Sequence, residues 1–95
     1  MAEFRYNLRG EIDLSTSPQV RADLQEIIRA NGAHLVIDCT ALTFIDSTAI
    51  AVLLEAHHDL AEQGRHMLII NVAPGPMRTF EVLGLTDLLR YDRAS

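Results

Sequence analysis

The chain has 95 residues, 48% of them hydrophobic and 22% charged, with a formal charge of −5. That is enough for one small core and too little for two. Lysine is absent and the arginines stand singly, apart from Arg90 and Arg93. Nucleic acid and anionic membrane surfaces both demand clustered cations, so neither is an expected partner. One cysteine, Cys39, excludes an internal disulfide and a cysteine-only zinc site. The start lacks the basic and apolar regions of a signal peptide, and no run approaches the roughly 18 apolar residues of a membrane span. A reducing cytoplasm is the expected compartment.

Phe4, Tyr6 and Leu8 alternate with Arg5, Asn7 and Arg9, the period of a half-buried strand that Gly10 ends. Ser17-Pro18 pairs an N-cap serine with a first-turn proline, and Val20, Leu24, Ile27 and Ile28 follow at helical spacing until Asn31-Gly32. Leu35-Val36-Ile37 is too short for a helix and reads as a central strand covered on both faces. A second helix is expected from Ser47 to Gln63, with Ile50, Leu53, Leu54, His57, Leu60 and Ala61 inward and Gly64 as the stop. Met67–Val72 reads as another buried strand. Pro74-Gly75-Pro76 reads as a loop and helix start, with Met77, Phe80, Val82 and Leu83 carrying a third helix to Gly84. A short turn over Leu85–Leu89 follows. Strand and helix alternate three times, which predicts a single α/β domain over residues 1–95, with a mainly parallel central sheet and helices packed against it.

The segment Asp38 to Ile50 reads Asp-Cys-Thr-Ala-Leu-Thr-Phe-Ile-Asp-Ser-Thr-Ala-Ile. A buried strand ends in an aspartate, Phe44-Ile45 is expected to bury, and Asp46-Ser47-Thr48 opens a helix. This resembles the hallmark of the STAS domain, the fold of bacterial anti-sigma factor antagonists: an apolar pair, Asp-Ser-Ser or Asp-Ser-Thr, then Gly-Leu. Gly10-Glu11-Ile12-Asp13, Gln63-Gly64, Asn71-Val72-Ala73-Pro74 with Arg78, and Phe80–Leu85 are similar to further family segments in the same order. The resemblance spans Phe4 to Leu89. Two departures stand out. Ala49 and Ile50 replace Gly-Leu, and the added methyl of Ala49 narrows close approach to the backbone there. The chain is also expected to lack the family's first strand and last helix, which leaves a minimal domain or an edge for another chain to cover.

The resemblance implies an anti-sigma factor antagonist in bacterial stress-response transcription. Its partner would be an anti-sigma factor that is also a serine kinase of the ATP-binding histidine-kinase type. That kinase would phosphorylate Ser47 and so release the protein, and a phosphatase would restore it. No enzymatic activity, catalytic residue, cofactor or metal is implied, and the expected state is a monomer or weak homodimer. The alternative is a fixed STAS-like accessory subunit of a lipid-transport ABC assembly. The docking residues expected around Ser47 are Asp13, Asp38, Asp46, Thr48, Ala49 and Val52. The last two belong to a small apolar stripe, Ala49, Val52 and Ala56, which serves docking if exposed and helix packing if not. Asp13 and Asp38 read equally as turn caps, and Ser47 as a plain helix cap.

The other polar groups suggest no chemistry. His34, His57, His58 and His66 contain no i, i+4 pair, so a helix-borne metal site is not expected. A Ser47–His57–Asp46 triad fails on distance, since ten helical residues place His57 about 15 Å along the axis. The Ala73–Pro76 loop has two prolines and no following lysine, unlike a phosphate cradle.

Overall fold

The computed structural model describes residues 2–30 and 32–84. The expected Leu85–Leu89 turn, Asn31, Arg90 and Arg93 lie outside them. In chain order the elements are β1 (Glu3–Asn7), β2 (Gly10–Ile12), α1 (Ser17–Ala30), β3 (His34–Asp38), β4 (Leu42–Ile45), α2 (Ser47–Glu62), β5 (Met67–Ile70) and α3 (Pro74–Val82). All strand pairs among them are parallel, in one sheet of order β1-β3-β5 and a second of order β2-β4. The α/β reading therefore holds, with two short strands added.

Those strands continue the longer ones. The Leu8 amide donates to Asp38 O at 3.0 Å and the Gly10 amide to Ala41 O at 2.8 Å, so the two chain segments stay side by side from one sheet into the other. Gly10 does not terminate the extended segment. At φ +72° it turns the backbone between β1 and β2, a conformation that favours glycine. Strand β4 does not alternate: it buries Leu42 and Ile45 and exposes Thr43 and Phe44. Expected burial at Phe44-Ile45 is thus half right. Ile45 is enclosed, whereas Phe44 is 47% exposed.

The central position of β3 follows from Leu35, Val36 and Ile37, all buried, as the unbroken apolar run predicts. Val20, Leu24 and Ile28 of α1 share a core with Ile50, Leu53 and Leu60 of α2, each side chain contributing about 1.5–3 kcal/mol by leaving water. Cys39 is in the same core, and its thiol is pushed up to about 12, first by burial and then by Asp38. The Tyr6 hydroxyl donates to Asp23 Oδ2 at 2.7 Å and ties β1 to α1.

The second helix ends as the glycine predicts. Gly64, at φ +70°, donates to Ala61 O and the Arg65 amide to Leu60 O, the paired bonds of a Schellman motif. Arg65 then turns inward. Its Nη1 donates to Ala33 O at 3.1 Å and Nη2 to Ile28 O at 2.8 Å, which clasps the end of α1 to the entrance of β3. β5 stops at Ile70 rather than Val72 because Asn71 takes a left-handed φ of 61°. The third helix begins at Pro74, earlier than expected, since proline suits the first turn.

Candidate functional site

The site is built where β4 runs into α2. Asp46 is the N-cap: its backbone is extended and Oδ1 accepts the Ala49 amide at 3.0 Å. Ser47 is therefore the first helical residue and not the cap. Asp46 fills that role because its carboxylate is the group that reaches the Ala49 amide, which leaves the serine hydroxyl outside the capping bond. The Asp46 amide is itself held by Ile12 O at 3.2 Å, and Asp46 O accepts the first helical bond from the Ile50 amide at 3.0 Å. Among the described residues, the amides of Ser47 and Thr48 have no acceptor and the Ser47 hydroxyl has no hydrogen bond. Ser47 is exposed and Thr48 half-buried.

Ile12 pairs with Ile45 in register, so Asp13 follows β2 at the same edge where Asp46 follows β4. Asp13 turns the chain into α1. Its Oδ1 accepts the Ser15 amide at 2.9 Å, the Ser15 hydroxyl at 2.7 Å and the Thr16 amide at 3.2 Å. These bonds, the Ser15 hydroxyl foremost, hold its carboxyl below the usual carboxylate range. Helix α1 then opens at Ser17, and Thr16 O accepts the Val20 amide, so the cap sits one residue earlier than the Ser17-Pro18 pattern suggests.

Asp38 lies elsewhere. It closes β3 by accepting from the Thr40 hydroxyl at 2.6 Å, the Thr40 amide at 3.0 Å, Arg5 Nη1 at 2.8 Å and Asn71 Nδ2 at 3.2 Å. Those donors, the Thr40 hydroxyl first, bring its pKa to about 2. β4 separates it from Ser47, a rise of roughly 13 Å for four strand residues. None of these partners belongs to the α2 entrance.

The apolar stripe on α2 is corrected by its burial. Ala49 is 2%, Val52 3% and Ala56 4% exposed. This face packs against α1, where Val52 and Ala56 share a crevice with Leu24 and Ile28. Small residues there let the two helices approach, so the Ala49 and Val52 side chains are packing groups rather than docking contacts. The outer part of the stripe assigned inward is corrected as well: Ala61 is exposed, and Leu54 and His57 are half-buried.

One exposed neighbour escapes the sequence reading. Leu14 is 73% exposed beside Asp13. A lone leucine inside the polar run Asp-Leu-Ser-Thr-Ser is the signal that marks it, because a tight turn offers it no core to enter. Ser47, Asp46, Asp13 and Leu14 thus form one rim at the carboxyl edge of the β2-β4 pair.

The architecture defines a small α/β module that presents a bare serine at a capped helix head. The STAS domain family matches residues 4–94, and the chain belongs to that family. It is 31% identical over 80 residues to an anti-sigma-B factor antagonist of Listeria monocytogenes, covering 84% of this chain and 70% of that protein. The fold superposes with a TM-score of 0.82 on the anti-sigma factor antagonist SpoIIAA in its unphosphorylated form, at 21% identity over 95% of this chain and 79% of the other. Against the phosphorylated form of the Bacillus SpoIIAA the TM-score is 0.72, again at 21% identity, over 94% and 81% of the two chains. No helix among the described residues is long and apolar enough to cross a membrane.

Proposed function

We propose that this protein is an anti-sigma factor antagonist, a regulatory binding protein rather than an enzyme, released from its partner when Ser47 is phosphorylated. The observation that carries this reading is Ser47 itself, exposed at the first position of α2 with its cap supplied by another residue. The kinship to named antagonists supports the function. The partner is an anti-sigma factor with serine kinase activity, and a phosphatase resets the cycle.

The local chemistry suits a reversible charge. The vacant amides of Ser47 and Thr48 and the positive end of the helix dipole accept a phosphate without dismantling the cap. Phosphorylation adds about −1.5 to −2 charges at pH 7 to a rim already bearing Asp13 and Asp46. A partner seated over Leu14, Ser47 and Thr48 then meets repulsion and a costly desolvation, while the fold survives. A coupling of about 1–3 kcal/mol weakens binding roughly 5- to 150-fold. Asp38 stays outside this docking set because its carboxylate is consumed by the β3 turn.

The test is incubation of the purified protein with the cognate anti-sigma kinase and ATP, read by intact mass and by titration calorimetry. One added phosphate, absent in Ser47→Ala, and weakened binding of Ser47→Glu are expected. Equal binding by wild type and Ser47→Glu, or a phosphate that persists in Ser47→Ala, would refute the assignment.

A further inference from the structure

The two strands that lead to the Ser47 rim are out of step by one residue. Gly10 faces Leu42 but Glu11 faces Phe44, so Thr43 is an extra residue in β4. Bulges of this kind re-aim a side chain and concentrate beside functional sites. In a regular strand that buried Leu42, Phe44 would share its face and Ile45 would point out. With the extra residue Leu42 and Ile45 are both enclosed, and the Phe44 ring is the large group left in water. It stands three residues ahead of Ser47, about 10 Å along the strand.

Leu14 is held out by a different device. The Asp13 carboxylate accepts from the Ser15 and Thr16 amides, and the Asp13 amide donates to Thr16 Oγ1 at 2.9 Å. Thr16 Oγ1 donates in turn to Glu11 O at 3.1 Å, and the Ser17 amide closes on Asp13 O at 2.8 Å. Leu14 is thus enclosed on both sides by a fixed turn that presents its exposed side chain on a rigid backbone. An apolar group already held in place loses little conformational freedom when a partner covers it.

Resting on the reading of this protein as an antagonist of a serine-kinase partner, we propose that Leu14 and Phe44 are the apolar anchors of its docking surface. The partner meets them with an apolar patch bordered by cations. Stable interfaces have an apolar centre inside a polar rim, and a few buried side chains carry most of the affinity. Segments 11–16 and 43–48 contain the carboxylates of Glu11, Asp13 and Asp46 and no lysine or arginine. Two such surfaces repel one another, which disfavours a second copy of this chain as the occupant and selects a basic partner. The anchors and the switch are then separate parts. Leu14 and Phe44 supply contact area, and the charge state of Ser47 beside them decides whether the partner stays.

Titration calorimetry against the cognate anti-sigma kinase tests the surface, with ADP in place of ATP so that no phosphoryl group is transferred. Leu14→Ser and Phe44→Ser are each expected to weaken binding about tenfold or more, with folding checked by circular dichroism. Phe44→Leu, which keeps an apolar group, is expected to retain most of the affinity. Phe4→Ser, an exposed aromatic removed from the other sheet, is expected to bind as wild type does. Full affinity in Leu14→Ser and Phe44→Ser alongside weak binding by Ser47→Glu would overturn the anchors and leave the switch standing. Losses in both anchor variants with no effect of Ser47→Glu would uphold the surface and sink the switch. A wild type that does not bind the kinase would overturn both. An equal loss in Phe4→Ser would overturn the anchors, and a wild-type affinity that does not fall with added salt would remove the cationic border.

Discussion

Replacing Asp46 separates the structural work of the α2 entrance from its charge. Its carboxylate accepts one bond, from the Ala49 amide at 3.0 Å, at the head of a helix of 16 residues. In Asp46→Ala that amide loses its acceptor, and because Ala49 is 2% exposed, water reaches the group poorly. Loss of an N-cap costs about 0.5–2 kcal/mol, and this half-buried site belongs in the upper half of that range. For a domain of this size each kcal/mol lowers Tm by roughly 4–8 °C, so a fall of about 5–16 °C is expected by calorimetry or circular dichroism. Asp46→Asn keeps an oxygen for the Ala49 amide and loses only attraction to the helix dipole, about 0.3–1 kcal/mol. Its melting temperature should therefore fall between those of wild type and the alanine variant. Equal losses in Asn and Ala variants would show that charge, not the hydrogen bond, holds the helix head. No loss in Asp46→Ala would refute the cap as a stabilising element.

Two further perturbations address the rest of the frame. Asp38 has its pKa depressed from 3.8 to about 2. A depressed carboxyl contributes stability in full above its unfolded value and loses it as pH falls through the folded one. Urea midpoints of wild type should thus decline between about pH 4 and pH 2, and Asp38→Asn should show a shallower decline across that window; parallel curves would refute the linkage. Arg65 is 6% exposed and donates to two backbone carbonyls. Arg65→Ala leaves both carbonyls short of a donor and is expected to cost about 3 kcal/mol in urea unfolding, whereas an exposed arginine such as Arg78 should cost under about 0.5 kcal/mol on the same change. Similar losses in the two variants would remove the case for Arg65 as a clasp.

The elements with a strong period are legible in the sequence. The span from Ser47 to Gln63 is delimited to within a residue because an acidic cap and a terminal glycine bracket a long apolar stripe. β3 belongs at the centre because an apolar run of three between polar neighbours has no other home. What stays hidden is short or depends on contacts distant in sequence. Gly10–Ile12 and Leu42–Ile45 carry too few residues for alternation to show, and they become strands only because they lie beside each other. The α2 stripe of Ala49, Val52 and Ala56 stays open between packing and docking when its cover, α1, is out of view in an earlier part of the chain. Nothing local marks Arg65 for burial either: its carbonyl partners, on Ile28 and Ala33, are 37 and 32 positions away. At the site, the pattern Asp46-Ser47-Thr48 locates the helix head. It does not decide which of three capable residues caps it, since that choice rests on which oxygen reaches the Ala49 amide.

That choice bears directly on how a switch is made. Were Ser47 the cap, its phosphorylation would displace the hydrogen bond that starts α2, and the signal would be partial unfolding. With Asp46 holding the cap, the serine oxygen is spare, and the added charge alters only what a partner meets. The parallel topology makes this arrangement natural. The carboxyl ends of β2 and β4 deliver the chain to the heads of α1 and α2, and both helix heads carry the positive end of a dipole. Asp13 and Asp46 answer that polarity at the two junctions, which register pairing of Ile12 with Ile45 brings to one rim. The rim is thereby acidic for structural reasons before any regulation is considered. In the proposed switch a phosphate on Ser47 would add to a field that the fold already maintains, so a single hydroxyl would suffice to change a partner's affinity while leaving the core, and the protein's stability, nearly where they were.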